Sequence, residues 1–135
     1  MQMGTSFEQP GPIAQYLKFL AEGKFKLQRS RSSGQYFYYP RAFSIGLESD
    51  DIEWVDVSGK GKVYSSTIVR RPEKYGGDFN IALVELDEGP RMLTRVLGIA
   101  ADAVEIGMRV TARIELPAWE KNPSQPLVVF YPDQR

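Results

Sequence analysis

Residues 61–71 read GKVYSSTIVRR, a run from which the architecture of the C-terminal half can be worked out. Val63, Ser65, Thr67 and Val69 alternate with Tyr64, Ser66, Ile68 and Arg70, so that each set falls on one face of an extended chain. A period of two, sustained over so many β-branched and aromatic residues, predicts a long strand. Pro72 has no N–H to give to a ladder, and it opens a loop through Gly76 and Gly77. FNIALVELDEG (79–89) reads as a more apolar strand, closed by a turn at Asp87, Glu88, Gly89 and Pro90. RMLTRVLGI (91–99) returns as its hairpin partner. ADAVEIG (101–107) is a short helical turn or loop, and MRVTARIELP (108–117) alternates Val110, Ala112, Ile114 and Leu116 against Thr111, Arg113 and Glu115. After the polar loop AWEKNPSQP (118–126), LVVFY (127–131) is the last strand, stopped by Pro132. A long first strand, a hairpin, a helical turn and two further strands match the plan of a five-stranded OB-fold barrel, an order that other small β barrels share.

Toward the N-terminus the pattern changes. Residues 1–11, with Gly4, Pro10 and Gly11, read as a flexible lead-in. Residues 12–23 predict a helix: Pro12 suits a first helical position, Ile13, Tyr16, Leu17 and Leu20 recur at helical spacing, and Gly23 supplies a stop. Its apolar stripe must pack on its own domain or on a partner. In residues 24–53, KFKLQRS and GQYFYYPR predict two short strands around a Ser/Gly turn, and a second turn at Ser44–Gly46 leads into DDIEW. Asp50, Asp51 and Glu53 there read as solvated carboxylates before a strand. Phe25, Tyr36, Phe37, Tyr38, Tyr39, Phe43 and Trp54 concentrate in this region. They supply packing, or they are exposed rings that read bases or line a ligand channel. The barrel is expected over 54–135.

The chain has 135 residues, with no cysteine and no histidine. That removes disulfides, thiol nucleophiles, the usual zinc ligands and the usual neutral-pH general base. The 17 basic and 17 acidic side chains balance, but residues 1–49 hold six basic groups against three acidic ones. A dedicated nucleic-acid binder carries a larger basic excess, whereas a local patch suffices to meet a phosphate. No signal-peptide pattern and no apolar run of membrane-spanning length is present, so a soluble, cytoplasmic protein is expected.

The layout LQRSRSSGQYFYYPRAFSIGLESDDIEWVDVSGKGKVYSST (27–67) resembles the acyl-CoA-associated OB-fold proteins with an N-terminal rubredoxin-like zinc ribbon, catalogued as domain of unknown function 35, or DUF35. The resemblance runs from about Pro12 to Pro132. Its most specific parts are Leu27-Gln28-Arg29, Gly34, Pro40-Arg41, Ser49, Glu53-Trp54 and Ser58-Gly59-Lys60-Gly61 followed by Val63-Tyr64-Ser65. It implies a mostly β chain: an N-terminal helix, a rubredoxin-like ribbon and the OB barrel. The four metal positions of the family pattern fall on Ser30, Ser33, Ser44 and Leu47, none of which supplies a thiolate. A degenerate, metal-free ribbon is therefore expected, with no bound zinc and with the aromatic cluster as its internal clamp.

Members of this family are thought to be non-catalytic partners of thiolases, ketoacyl synthases, hydratases or aldolase-type lyases. They bridge subunits, cover the active site or conduct an acyl-CoA thioester. The resemblance implies the same role here, with acyl-CoA as a possible ligand and a thiolase-like or hydratase-like subunit as partner. Lys26, Arg29, Arg31 and Arg41, with Tyr36, Tyr38 and Tyr39, are the candidate contacts for its phosphates and adenine. Each of these charges reads more readily as a solvated side chain, and each tyrosine as packing. Catalytic residues are not expected: Ser30, Ser32 and Ser33 have no histidine to activate them. The alternative is a single-stranded nucleic-acid-binding OB protein, against which the balanced charge argues.

Overall fold

The computed structural model describes residues 11–38 and 51–133, and the chain divides into two compact units on either side of the Val57–Ser58 bond. Tyr39, Arg41, Ser44 and Leu47, and the turn expected at Ser44–Gly46, lie outside the described residues.

The first unit holds helix α1 (Pro12–Ala21) and strands β1 (Lys26–Ser30), β2 (Tyr36–Phe37) and β3 (Ile52–Asp56). Pro12 stands in the first turn, where its missing N–H costs no hydrogen bond. The helix ends because Gly23 adopts φ 79°, which lets its N–H reach Leu20 O at 2.9 Å and that of Lys24 reach Phe19 O at 2.8 Å. That pair of bonds is a Schellman motif. Tyr16 and Leu20 are buried with Leu27 of β1. Phe19 meets Trp54 edge-on at 5.2 Å, Tyr16 meets Tyr38 at 6.2 Å, and the Trp54 indole donates to Gln15 Oε1 at 2.7 Å. The helical stripe thus packs within its own unit, apart from Ile13, which is 46% exposed. Burying each large side chain of this kind contributes about 1.5–3 kcal/mol.

The sheet order is β2-β1-β3, antiparallel throughout. Trp54 lies in β3, opposite Gln28. Residues 52–56 pair along the whole of β1, and that ladder keeps them with the first unit.

The second unit is a five-stranded sheet in the order β6-β5-β4-β7-β8, from β4 (Lys60–Val69), β5 (Phe79–Leu86), β6 (Arg91–Thr94), β7 (Arg109–Glu115) and β8 (Leu127–Pro132). A parallel bridge between Val96 and Phe130 joins the segment after β6 to β8 and closes the barrel. Val63, Ala82, Val84, Leu86, Met92, Val96, Val110 and Phe130 fill it. β8 runs through Pro132, which pairs with Val110 at the strand end.

The alternation expected along β4 holds only in its first half. Val63 pairs with Val84 but Ser65 pairs with Leu83, so Tyr64 is an extra residue. A bulge of this kind inverts the inward parity beyond it and bends the strand. Gly61 and Val63 point inward before it; after it Ser66 and Ile68 stand opposite the buried Ala82 and Asn80. Tyr64 projects outward, its ring covered by the Arg91 guanidinium at 3.7 Å. The bend allows one strand to pair with β5 along its length and with β7 at its start.

Candidate functional site

The expected ligand contacts come from β1, β2 and the turn between them. β1 and β3 run antiparallel, and their register sets Lys26 opposite Asp56 and Arg29 opposite Glu53. The Arg29 Nη2 and Nε donate to Glu53 Oε2 at 2.7 and 3.0 Å, and Arg31 Nε reaches Glu53 Oε1 at 3.3 Å. Lys26 Nζ lies 3.1 Å from Asp56 and 5.6 Å from the Phe19 ring centroid. Tyr36 accepts a long hydrogen bond from Arg29 Nη1 at 3.5 Å, with the guanidinium 5.7 Å from its ring centroid. Tyr38 faces Tyr16. The structure therefore links Arg29 to Tyr36 and, through Glu53, to Arg31, sets Lys26 on the opposite face of β1 beside Phe19, and turns Tyr38 toward the helix, while Tyr39 and Arg41 fall outside the described residues. Glu53 lies below the usual carboxylate range, first through its hydrogen bond from Arg29, and Arg29 is raised in return. Burial, with the Tyr38 charge as a lesser cause, pushes the Tyr16 phenol up.

The turn after β1 occupies the first knuckle of the expected ribbon. Ser30, fully buried, accepts the Ser33 N–H on its hydroxyl at 3.2 Å and the Gly34 N–H on its carbonyl at 2.8 Å. Gly34 takes φ 75°, the left-handed conformation such a turn needs. The Ser30 hydroxyl donates to Asp51, whose carboxylate also accepts the Ser32 N–H at 2.9 Å and the Ser32 hydroxyl at 3.2 Å. Arg31 N–H bonds Asp51 O at 2.7 Å. The Ser30 bond is the main cause holding Asp51 below the carboxylate range. Asp51 and Glu53 are thus engaged partners rather than solvated carboxylates, and the link from turn to β3 is made by Asp51 as well as by aromatic packing. Ser30 has no exposed surface, so its hydroxyl is out of a substrate's reach. No group of three or more His, Cys, Asp or Glu able to hold a metal occurs among the described residues.

The Ser58–Lys62 segment is architectural. Ser58 N–H donates to Glu88 at 2.8 Å, the Ser58 hydroxyl accepts Lys60 N–H at 3.1 Å, and Gly59 O accepts Ala112 N–H at 2.7 Å. Gly61 faces Leu86 on one side and Val110 on the other, and a β-carbon there would stand 2.5 Å from Glu85 O.

Residues 54–115 match the model of the C-terminal OB-fold domain of ChsH2. A DUF35 domain-containing scaffold protein of Pyrococcus furiosus is 31% identical over 106 residues, covering 76% of this chain and 77% of that protein. The chain belongs to the DUF35 family. A probable enoyl-CoA hydratase alpha subunit of Thermomonospora curvata is 40% identical to this DUF35 protein over 86 residues, which is 62% of the present chain but only 26% of the subunit. Among solved structures, a chain of the Ltp2–ChsH2(DUF35) aldolase superposes with a TM-score of 0.76 at 29% identity, covering 92% of this DUF35 protein and 96% of that chain. No helix among the described residues is long and apolar enough to cross a membrane.

Proposed function

We propose that this DUF35 protein is a non-catalytic accessory or bridging subunit of an acyl-CoA-processing enzyme of thiolase, ketoacyl synthase, hydratase or aldolase type, working in the cytoplasm. The observation that carries the reading is the end-to-end likeness to the DUF35 chain of the Ltp2–ChsH2(DUF35) aldolase. The names of the hydratase and scaffold relatives support it. So does the chemistry of the site: Ser30 is buried, and no histidine exists to activate Ser32 or Ser33.

In this role the β1–β2 hairpin covers or channels an acyl-CoA held by the partner. Lys26, Arg29 and Arg31 already have carboxylate neighbours, so phosphate contact there requires exchange of an ion pair; Tyr36, Tyr38, Tyr39 and Arg41 complete the proposed contact set. The ribbon does its work without zinc. Affinity purification from the native host tests the reading. An acyl-CoA enzyme subunit should copurify at fixed stoichiometry, lose activity when this chain is removed and regain it on add-back. A partner fully active alone, or no such partner, overturns it.

A further inference from the structure

The barrel carries a second basic and aromatic cluster. Arg71 lies in the β4–β5 loop, Phe79 opens β5, Arg95 follows β6 and Trp119 sits in the β7–β8 loop. The Arg95 guanidinium lies 4.0 Å from the centroid of Phe79 and 4.0 Å from that of Trp119, and Arg71 lies 4.7 Å from the Phe79 centroid. In an OB barrel, ligands bind on the face of the second and third strands, between the first and last of these loops. The four residues come from those places.

Packing alone accounts for one guanidinium between two rings, but not for two cations around Phe79. Arg70, Arg91 and Arg109 each hold a carboxylate; Arg71 and Arg95 form no side-chain ion pair among the described residues. Burial, and then the Arg71 charge, lowers Arg95 from its ordinary value. A guanidinium stacked on a ring keeps its N–H donors in its own plane, directed past the ring edge, where a tetrahedral oxyanion can be gripped. Two whole positive charges match a phosphoryl dianion better than a single carboxylate. Arg71 also borders an open groove of about 430 Å³. Its walls carry Glu73, Asp78 and Asp102, which disfavour an anion within it.

We propose that Arg71 and Arg95, stacked on Phe79 and Trp119, bind the phosphate or pyrophosphate portion of a small ligand. The proposal goes beyond the accessory-subunit reading and stands or falls separately from it. The test is NMR of the full chain, whose two tryptophans give two indole N–H signals, Trp119 at the site and Trp54 as internal control. Titration with inorganic pyrophosphate at low salt should shift the Trp119 signal saturably and leave Trp54 unmoved. Arg71→Gln, at an exposed position, should weaken the affinity about tenfold or more, and Arg95→Lys, which keeps the charge but loses the planar fork, should do likewise. Arg113→Gln, whose cation stacks on Tyr131 elsewhere, should bind as the parent does. The proposal is overturned by an unsaturable response, by succinate binding as tightly as pyrophosphate, or by Arg71→Gln binding unchanged. Preference for a thymidine oligonucleotide with steep salt dependence would also overturn it and assign the face to single-stranded nucleic acid.

Discussion

Asn80 is the residue on which closure of the barrel depends, and its replacement has a calculable cost. The Val96–Phe130 bridge uses the groups flanking Val96: Leu97 N–H donates to Phe130 O at 2.8 Å and Phe130 N–H to Arg95 O at 3.1 Å. The N–H and C=O of Val96 itself therefore point away from β8, into the interior, where Val96 is 1% exposed. The Asn80 side chain meets both, Nδ2 donating to Val96 O at 2.7 Å and Oδ1 accepting Val96 N–H at 3.0 Å. One amide stands in for a missing strand. Asn80→Ala leaves two buried backbone groups unpaired at about 1–3 kcal/mol each, so a loss of about 3–4 kcal/mol is expected once water entry offsets part of it. Against the ~5–15 kcal/mol that holds a domain together, this is a large share. Urea unfolding followed by Trp119 fluorescence, with Trp54→Phe as common background, reads it as a shift in midpoint at constant slope. Asn80→Asp is sharper still. Its carboxylate keeps the bond from Val96 N–H but opposes Val96 O, so the native state favours the protonated form. The folded pKa rises above the unfolded one, and stability should be present at low pH and lost as pH rises through the folded value. A cost below about 1 kcal/mol for Asn80→Ala would refute this account of closure.

Gly61→Ala should destabilise the barrel by about 2–3 kcal/mol in the same unfolding assay, because the new β-carbon meets Glu85 O at 2.5 Å and Val84 Cγ1 at 3.1 Å with backbone on the closer side. Asp51 and Glu53 both lie below their ordinary values, so the stability they contribute is complete above the unfolded carboxylate range and falls away as pH drops through the folded values. Unfolding of the first unit, followed by Trp54, should show this acid loss, and Asp51→Asn should flatten it. Metal analysis of purified protein should find no stoichiometric zinc; one zinc per chain would overturn the metal-free reading of the ribbon.

The barrel was legible because its strands obey a period of two and its turns carry Gly and Pro, signals local enough to survive without neighbours. The inner face of β4 beyond Tyr64 was not, since a bulge is fixed by the partner strand: Ser65 and Thr67 fit the alternation as well as Ser66 and Ile68 do. Asn80 looked like any polar residue in a strand, and only the orphaned groups of Val96 explain it. In the first unit the charge spacing itself carries a signal. Lys26 and Arg29 are spaced as Glu53 and Asp56 are, and two antiparallel strands bring such mirrored charges face to face. Read that way, the basic residues offered as phosphate contacts already had partners. The Arg71–Phe79–Arg95–Trp119 cluster draws on a strand start and three connecting segments, a convergence that no spacing rule encodes.

What a ribbon needs in place of a metal follows from the turn at Ser30. In a thiolate knuckle the sulfur gathers nearby N–H groups and the ion ties the turn to the rest of the fold. Here the buried Ser30 hydroxyl takes the Ser33 N–H, and Asp51 supplies the tie by accepting from Ser30, from Ser32 N–H and from the Ser32 hydroxyl. Because Asp51 immediately precedes β3, the clamp fixes the turn to a strand that pairs along all of β1. The helix adds the apolar contribution through Tyr16, Phe19 and Leu20. A directional carboxylate clamp and an apolar lid can preserve the shape of a knuckle, yet they respond to different conditions than a metal does. On the metal-free reading a chelator has nothing to remove, whereas protonation of Asp51 weakens the acceptor that three donors share. The first unit should therefore stay folded in a chelator at neutral pH and loosen in acid, with Ser30→Ala reproducing part of the acid effect at neutral pH.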